Sequence, residues 1–360
     1  MKIQRTSVGL DVHARSVFGC GLDGETGEVF TRRLGTDHRE ILDWVQGLPG
    51  PVAVTYEAGP TGFGLARALL DNQVQCLVAA PSKLVRPCGD RVKTDARDAA
   101  HLARLLHLGE ITPVCIPSLE REAARDLVRA REDARADLMR ARHRVLALLL
   151  RHNHIYTSGP AWTVAHLAWL RRQQFLEPAA QTAYETAVEA MLACVDRRDR
   201  LDRAITAMAV DSEFSAVVRR LGCLRGVSTL TAFGLAVEIG DWSRLSGRSI
   251  GAYLGLVPTE YSSGASRVQG SITRTGNAHA RRLLIEAAWH HRRPYRPGVE
   301  LRRRWQAASP AARRRGQQAN QRLYTRWRGF DARAKRPAVA NAAIARELAG
   351  WCWSLAVLEE

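Results

Sequence analysis

The chain has 360 residues, with 53 Lys and Arg against 36 Asp and Glu, for a formal net charge of +17. Apolar residues make up 46% and charged residues 25%, a composition that excludes a wholly disordered chain, and at about 150 residues per domain the length points to two or three domains. No apolar run approaches the roughly 20 residues of a membrane span, and the polar start Met1–Thr6 lacks the apolar core of a secretory signal, so a cytoplasmic protein is expected.

Residues 1–112 read as an α/β domain. Ser7–His13, Ser16–Leu22 and Glu28–Leu34 are three consecutive strands, separated by the turn signals Asp23-Gly24 and Thr26-Gly27. Asp37–Leu48 has helical apolar spacing with Asp37 as its cap. Pro51–Glu57 is a strand, Gly64–Asn72 a helix, Val74–Ala80 a strand and Asp95–Leu108 a helix. Three strands, helix, strand, helix, strand, helix is the order of the ribonuclease H-like fold. Residues 113–212 contain long helical patterns at 119–152 and about 180–210, in which apolar positions recur among interleaved opposite charges. This is a helical coiled-coil arm, either a spacer or an oligomerisation element. Residues 213–360 are expected to be mainly helical. Leu224–Ala232 followed by a helical Phe233–Ile239 allows either a phosphate-binding helix-hairpin-helix or a plain helix turn. Residues 257–277 read as a Gly/Ser/Thr-rich loop, and Ala338–Leu358 as an apolar helix.

The charge is uneven. Residues 1–110 hold 13 basic and 13 acidic residues, while 211–360 hold 25 basic and 11 acidic. Only four of the cations are lysine: Lys2, Lys83, Lys93 and Lys335. Arginine forks suit phosphate oxygens and base edges, so a nucleic-acid partner is expected for the C-terminal part. Arg302, Arg303 and Arg304, then Arg313, Arg314 and Arg315, with Trp305 and Trp327 nearby, form basic runs with interleaved aromatics that suit stacked, single-stranded bases. The seven cysteines (Cys20, Cys76, Cys88, Cys115, Cys194, Cys223, Cys352) never take a CxxC spacing, which argues for small buried hydrophobes over disulfides or zinc. His152 and His154, or His290 and His291, lack cysteine or carboxylate partners at ligand spacing.

Four carboxylates carry the chemistry. Asp11 interrupts an apolar strand in VGLDVH, and Glu57 ends the fourth strand in VTYEAGPTG. A charge in such a place is expensive unless it is paired or metal-bound. Asp95 and Asp98, in KTDARDAAHLARLL, share one face of a helix through their i, i+3 spacing, although helix capping and the helix dipole are alternative roles for them. In the ribonuclease H-like order the four converge. Like charges that close repel unless cations bind them, and hard oxygen ligands suit Mg²⁺. Lys93 beside them is either a phosphate contact or a surface lysine. Ser262-Ser263-Gly264 sits among Arg267, Arg274, Arg281 and Arg282, with Gly270 and Gly276 in the same stretch. A serine hydroxyl among arginines can attack a phosphodiester; from spacing alone, a plain turn is the favoured reading.

GLDVH, TYEAGPTG, KTDARDA, GLVPTEYSSG and ITRTGNAHARRLLIEAAW, in this order around a helical arm, resemble the DEDD-type insertion-sequence transposases, bridge-RNA-guided recombinases with a RuvC-like N-terminal domain and a C-terminal serine transposase domain. The resemblance runs over nearly the whole chain. It implies that the Asp-Glu-Asp-Asp set falls on Asp11, Glu57, Asp95 and Asp98 and holds Mg²⁺. It places the nucleophile at Ser263, with Ser262 as substitute. It also implies donor and target DNA and an element-encoded bridge RNA as partners, a dimer and a tetramer built as a dimer of dimers, and nucleoid association. The implied reaction is strand exchange through a covalent 5′-phosphoserine, without ATP; no GxxxxGK[ST] motif is present. Two rivals remain: a junction-resolvase-like nuclease that uses the four carboxylates with water as nucleophile, and a non-catalytic RNA-binding protein.

Overall fold

In the computed structural model, residues 4–85, 94–264 and 266–359 are described. Lys93 and Cys88 lie outside them. The chain divides into two compact units, 1–118 and 119–360.

The first unit follows the strand and helix order read from the sequence: β1 (Thr6–Val12), β2 (Val17–Asp23), β3 (Val29–Leu34), α1 (His38–Gln46), β4 (Val52–Glu57), α2 (Gly64–Asp71), β5 (Gln75–Ala79) and α3 (Asp95–His107). The sheet order is β3-β2-β1-β4-β5, antiparallel across β3, β2 and β1 and parallel across β1, β4 and β5. β1 is therefore central and covered on both faces, which is why it tolerates a nearly unbroken apolar run. Alternation along β1 sends Val8 and Leu10 into one core with Ile41, Val45, Leu65 and Leu69 of α1 and α2. Ser7, Gly9 and Asp11 take the opposite face, against α3. A Cβ on Gly9 would lie 2.1 Å from the Ala99 carbonyl oxygen and 2.4 Å from the Ala103 nitrogen. Only glycine lets α3 approach this closely. α1 is capped by Asp37, whose side chain accepts from the Arg39 amide, and α3 by Thr94, whose side chain accepts from the Arg97 amide.

The second unit is mainly helical. α4 (Leu119–Arg151) and α6 (Pro178–Val210), each of 33 residues, form an antiparallel helical pair, with α5 (Val164–Leu170) between them in the chain. Arg131–Asp202 at 2.7 Å and the Asp137–Arg197 contact fix the antiparallel sense. Leu138, Val145, Leu149, Tyr184 and Met191 fill the seam. The remaining elements are α7 (Ser215–Leu221), α8 (Thr229–Ile239), α9 (Ile250–Tyr253), β6 (Pro258–Ser263), β7 (Ser266–Ile272), α10 (Ala278–Ala288), α11 (Val299–Gln306), α12 (Pro310–Ala332) and α13 (Pro337–Ala356). α8 is buried from Ala232 to Ile239 and apolar over that stretch except for Glu238, as suits a central helix. The apolar tail α13 packs Ile344, Leu348, Cys352 and Leu355 into the same core.

Two expectations are corrected here. Residues 258–272 are an antiparallel hairpin, not a loop, with Ser263 opposite Ser266 and Ser262 opposite Arg267. Glu260–Ser263 and Ser266–Ser271 are exposed, so there is no apolar face and no alternation for a pattern reading to find. Trp327 is fully buried, and the Trp305 indole donates to the Cys223 carbonyl at 3.2 Å. Trp327 is therefore a core group and not a stacking platform for bases, and Trp305 is partly buried against that core. Cys20, Cys76, Cys223 and Cys352 are buried, and Cys115 is exposed. Among the described residues no helix is long and apolar enough to cross a membrane.

Candidate carboxylate cluster and serine hairpin

β1 and β4 run parallel, with Leu10 opposite Tyr56. Asp11 and Glu57 are each the next residue along, so both occupy the same end of the sheet. α3 begins at that end, because Gly9 seats Ala99 and Ala103 on β1 and the turn before them carries Asp95. The result is a cluster of Asp11, His13 and Asp95, whose ligand atoms all lie within 4.8 Å of one another. The His13 Nε2 is 3.1 Å from Asp11 Oδ2 and 3.7 Å from Asp95 Oδ1. His13 is held there by its own turn: its amide donates to the Ser16 carbonyl at 3.0 Å, closing the β1–β2 connection. The Asp11 side chain is 18% exposed, against 53% for His13 and 55% for Asp95. Burial pushes the Asp11 carboxyl above its ordinary value; His13 pulls it down, while Asp95 and Asp98 raise it again. Asp98 thus lies within electrostatic reach of Asp11. Glu57 and Asp98 stand outside the close cluster, and Glu57 is exposed. A depression of about 430 Å³ adjoins Asp95, lined by Ser16, Phe18, Arg33 and Thr94.

Two carboxylates and an imidazole converging from a strand end, a turn and a helix start are a donor set that fits a divalent cation. The sequence points to both aspartates of the cluster, and His13 is not among the candidates it offers. The nearness of His13 to Asp11, two residues on at the strand's end, is the available signal.

In the second unit Ser263 ends β6 at the tip of the hairpin, exposed, with no side-chain hydrogen bond among the described residues. Ser262 differs: its Oγ donates to Glu260 Oε1 at 2.9 Å. Arg267 and Gln269 also reach Glu260, each at 3.2 Å. These hydrogen bonds, from Gln269 first, hold the Glu260 carboxyl below its usual range. Gly264 turns the chain at φ +55° with open space around it. Gly276 has a different use, since a Cβ there would sit 2.0 Å from the Tyr253 carbonyl oxygen; it packs backbone on backbone.

The predicted basic residues divide. Arg281 donates to the Leu254 and Thr275 carbonyls at 3.0 and 2.6 Å, tying down the loop after the hairpin. Arg282 pairs with Glu286 at 2.6 Å and with Glu132, and Arg304 donates to the Val227 carbonyl. These cations are engaged within the fold. Arg303 pairs with Glu300 at 2.9 Å on the surface, and Arg302 and Arg314 are exposed. Arg313 and Arg315 are half-buried.

Sequence reading missed a groove of about 1360 Å³ between the base of the hairpin and α13. Arg248, Arg274, Arg322, Arg326, Lys335 and Arg346 line it, with Glu347 as the one carboxylate. Glu347 pairs with Arg322 at 2.6 Å and with Arg326. Arg248, Arg274 and Arg346 are exposed and make no ion pair among the described residues.

A polar network underlies α10. Glu238, with a side chain only 2% exposed, accepts from Asn277 at 2.7 Å, meets His279 at 3.3 Å and lies 3.6 Å from Arg129. Burial alone would raise its pKa, but the His279 and Asn277 hydrogen bonds and the Arg129 charge outweigh it and hold the carboxyl at about 2. Asn277 also caps α10 through the Ala280 amide at 2.9 Å.

Comparison with known proteins bears on both units. Residues 8–154 match a DEDD transposase family profile, and residues 218–301 match the profile described as Transposase IS116/IS110/IS902 family. The chain is 40% identical over 357 residues to the putative transposase y4qE of Sinorhizobium fredii, covering 97% of this chain and 88% of that protein. It is 29% identical over 349 residues to the transposase for insertion sequence element IS1533 of Leptospira borgpetersenii, covering 92% of this chain and 99% of that one. A probable family 20 transposase of Pseudomonas aeruginosa is 28% identical over 306 residues.

Proposed function

The chain belongs to the IS116/IS110/IS902 family of transposases, and on that premise we propose that it exchanges DNA strands through a covalent phosphoserine intermediate formed at Ser263, with a divalent cation held at its carboxylates. The observation that carries this reading is the exposed Ser263 hydroxyl, free of side-chain partners among the described residues, on a hairpin whose base borders a cationic groove. The strand order, with β1 central and its acid at the sheet end, supports a ribonuclease H-like first domain.

In this mechanism the Ser263 Oγ attacks a backbone phosphorus and gives up its proton. The bond from phosphorus to the 3′ oxygen breaks, and that oxygen leaves as a 3′-hydroxyl once protonated. The 5′-phosphoserine keeps the phosphoester energy, so the 3′-hydroxyl of a partner strand can displace Oγ and reseal the backbone without ATP. Arg267, beside the serines, and the groove arginines would steady the phosphate charge. Asp11 and Asp95 would hold the cation, with Asp98 and Glu57 at the same sheet end. When bound, Mg²⁺ or a similar ion supplies charge stabilisation to the phosphoryl oxygens. The excess of arginine in the second unit and the groove are the surfaces offered to DNA and to an element-encoded guide RNA. Assembly into dimers and a tetramer through the helical pair belongs to the same reading.

The test is a trapping assay. Full-length protein is incubated with element-end DNA, flanking non-coding RNA and Mg²⁺, then denatured and examined for protein-linked DNA. An adduct lost in Ser263→Ala, and lost without RNA, is expected. Cleaved ends with no adduct would replace this mechanism with a water-using nuclease, and no cleavage under any condition would leave a binding protein.

A further inference from the structure

We propose that His13 supplies a nitrogen ligand to the divalent cation held by Asp11 and Asp95, making this a mixed nitrogen and oxygen centre with a preference for Mn²⁺ over Mg²⁺. The inference rests on the reading of these carboxylates as a cation site and goes beyond it in naming an additional ligand and the metal it favours.

The placement of His13 follows from the backbone. Asp11 is the last residue but one of β1 and His13 the first residue beyond its end, so the turn brings the imidazole back beside the Asp11 carboxylate, 3.1 Å away. The Ser16 contact fixes the turn in which His13 sits. One ring atom, Nε2, faces both carboxylates, at 3.1 and 3.7 Å. Neighbouring ligands on an octahedral ion with bonds of about 2.1 Å are about 3 Å apart. The 3.1 Å separation is that of adjacent corners around one small cation, and the 3.7 Å one, in a set that spans no more than 4.8 Å, needs the ligands to draw together by several tenths of an ångström. His101, on α3, is otherwise engaged: its Nε2 lies 2.7 Å from the Val85 carbonyl oxygen. An imidazole in the set shifts preference along the divalent series. Mg²⁺ favours oxygen and water ligands, whereas Mn²⁺ lies on the transition-metal scale, where nitrogen donors gain weight.

The experiment loads the full-length chain with Mn²⁺ alone and records pulsed electron paramagnetic resonance, with parallel titrations of Mn²⁺ and Mg²⁺. Wild type should show ¹⁴N modulation from a directly bound imidazole, and His13→Ala should abolish it. Loss of one ligand should weaken Mn²⁺ binding about tenfold and Mg²⁺ binding less than threefold. The side chain is half exposed, and equal thermal stability of the variant would confirm that it folds. Asp11→Asn separates the two levels of the claim. If wild type binds Mn²⁺, loses it in Asp11→Asn and shows no nitrogen coupling, the carboxylate site stands and the His13 inference fails. If wild type binds no Mn²⁺, or if Asp11→Asn binds it unchanged, the cation reading and the inference fail together.

Discussion

The carboxylate cluster and the serine hairpin are mounted in opposite ways. Asp11 stands one residue from the end of the central strand of a five-stranded sheet, with Gly9 two residues before it pressed against α3. Ser263 closes the outer end of a two-stranded ribbon whose residues around it are exposed. A cation site demands several ligands held in fixed geometry before the ion arrives, and the end of a sheet packed on both faces provides it. A nucleophile that must reach a phosphate buried among its own substituents is better placed on a projecting element, with its hydroxyl uncommitted. The scaffold under each region has a matching chemistry: close apolar packing behind the carboxylates, and a charged network of Glu238, Asn277 and His279 behind α10, which follows the hairpin.

The comparison can be broken or sharpened at four points. The largest effect is expected at the serines. Ser263→Ala should reduce the DNA adduct at least about 1000-fold, while Ser262→Ala, whose hydroxyl is already bonded to Glu260, should keep it within severalfold. Equal loss in both, read on denaturing gels, would remove the distinction drawn between them.

The glycines come next. Gly9→Ala places a Cβ against two backbone atoms of α3 and should cost about 3 kcal/mol. Gly264→Ala meets only the strain of its positive φ and should cost about 1 kcal/mol. Urea unfolding curves with indistinguishable shifts would show that the sheet end is no more rigidly built than the hairpin tip.

A third effect lies in pH. The folded carboxyl of Glu238 titrates at about 2 against an ordinary 4.5, so its contribution is complete above about pH 4.5 and is lost as pH falls through about 2. The contribution is about 3 kcal/mol. Glu238→Gln should flatten that part of the stability profile, and an unchanged acid slope would remove the network from the account.

The smallest effect concerns the groove. Arg248→Ala with Arg346→Ala should lower the slope of log affinity against log salt for a single-stranded oligonucleotide by about 1.4, the share of two phosphates. An unchanged slope in an anisotropy titration would place the polyanion elsewhere.

Much of the first unit was legible in the residues because its signals are local. Alternation marks its strands, Asp37 caps the helix that follows it, and Asp11 stands out in an apolar run; the cap of α3 falls on Thr94 and not on Asp95. The site was legible in part: Asp11 and Asp95 come together, while Glu57 and Asp98 stand back from the close group. In the second unit the same methods found the long helices and α13 but mistook the hairpin for a loop, since neither of its faces is apolar. Trp305 and Trp327 read as stacking platforms beside arginines, but Trp327 is core and Trp305 is partly buried against it, because whether an aromatic in a basic run is buried depends on helices far away in sequence.

The sequence by itself therefore determined the strands, the helices and their order in the first unit, the acids that end them and the excess of arginine in the second unit. Those properties are carried by periodicity, capping and composition over a few residues. Only the tertiary structure decided that His13 meets Asp95, that Arg281, Arg282 and Arg304 are engaged inside the fold, and that Arg248, Arg274 and Arg346 face one groove. Each of these is a contact between segments tens of residues apart, set by which surfaces the packed core leaves adjacent. Local pattern carries no information about that adjacency.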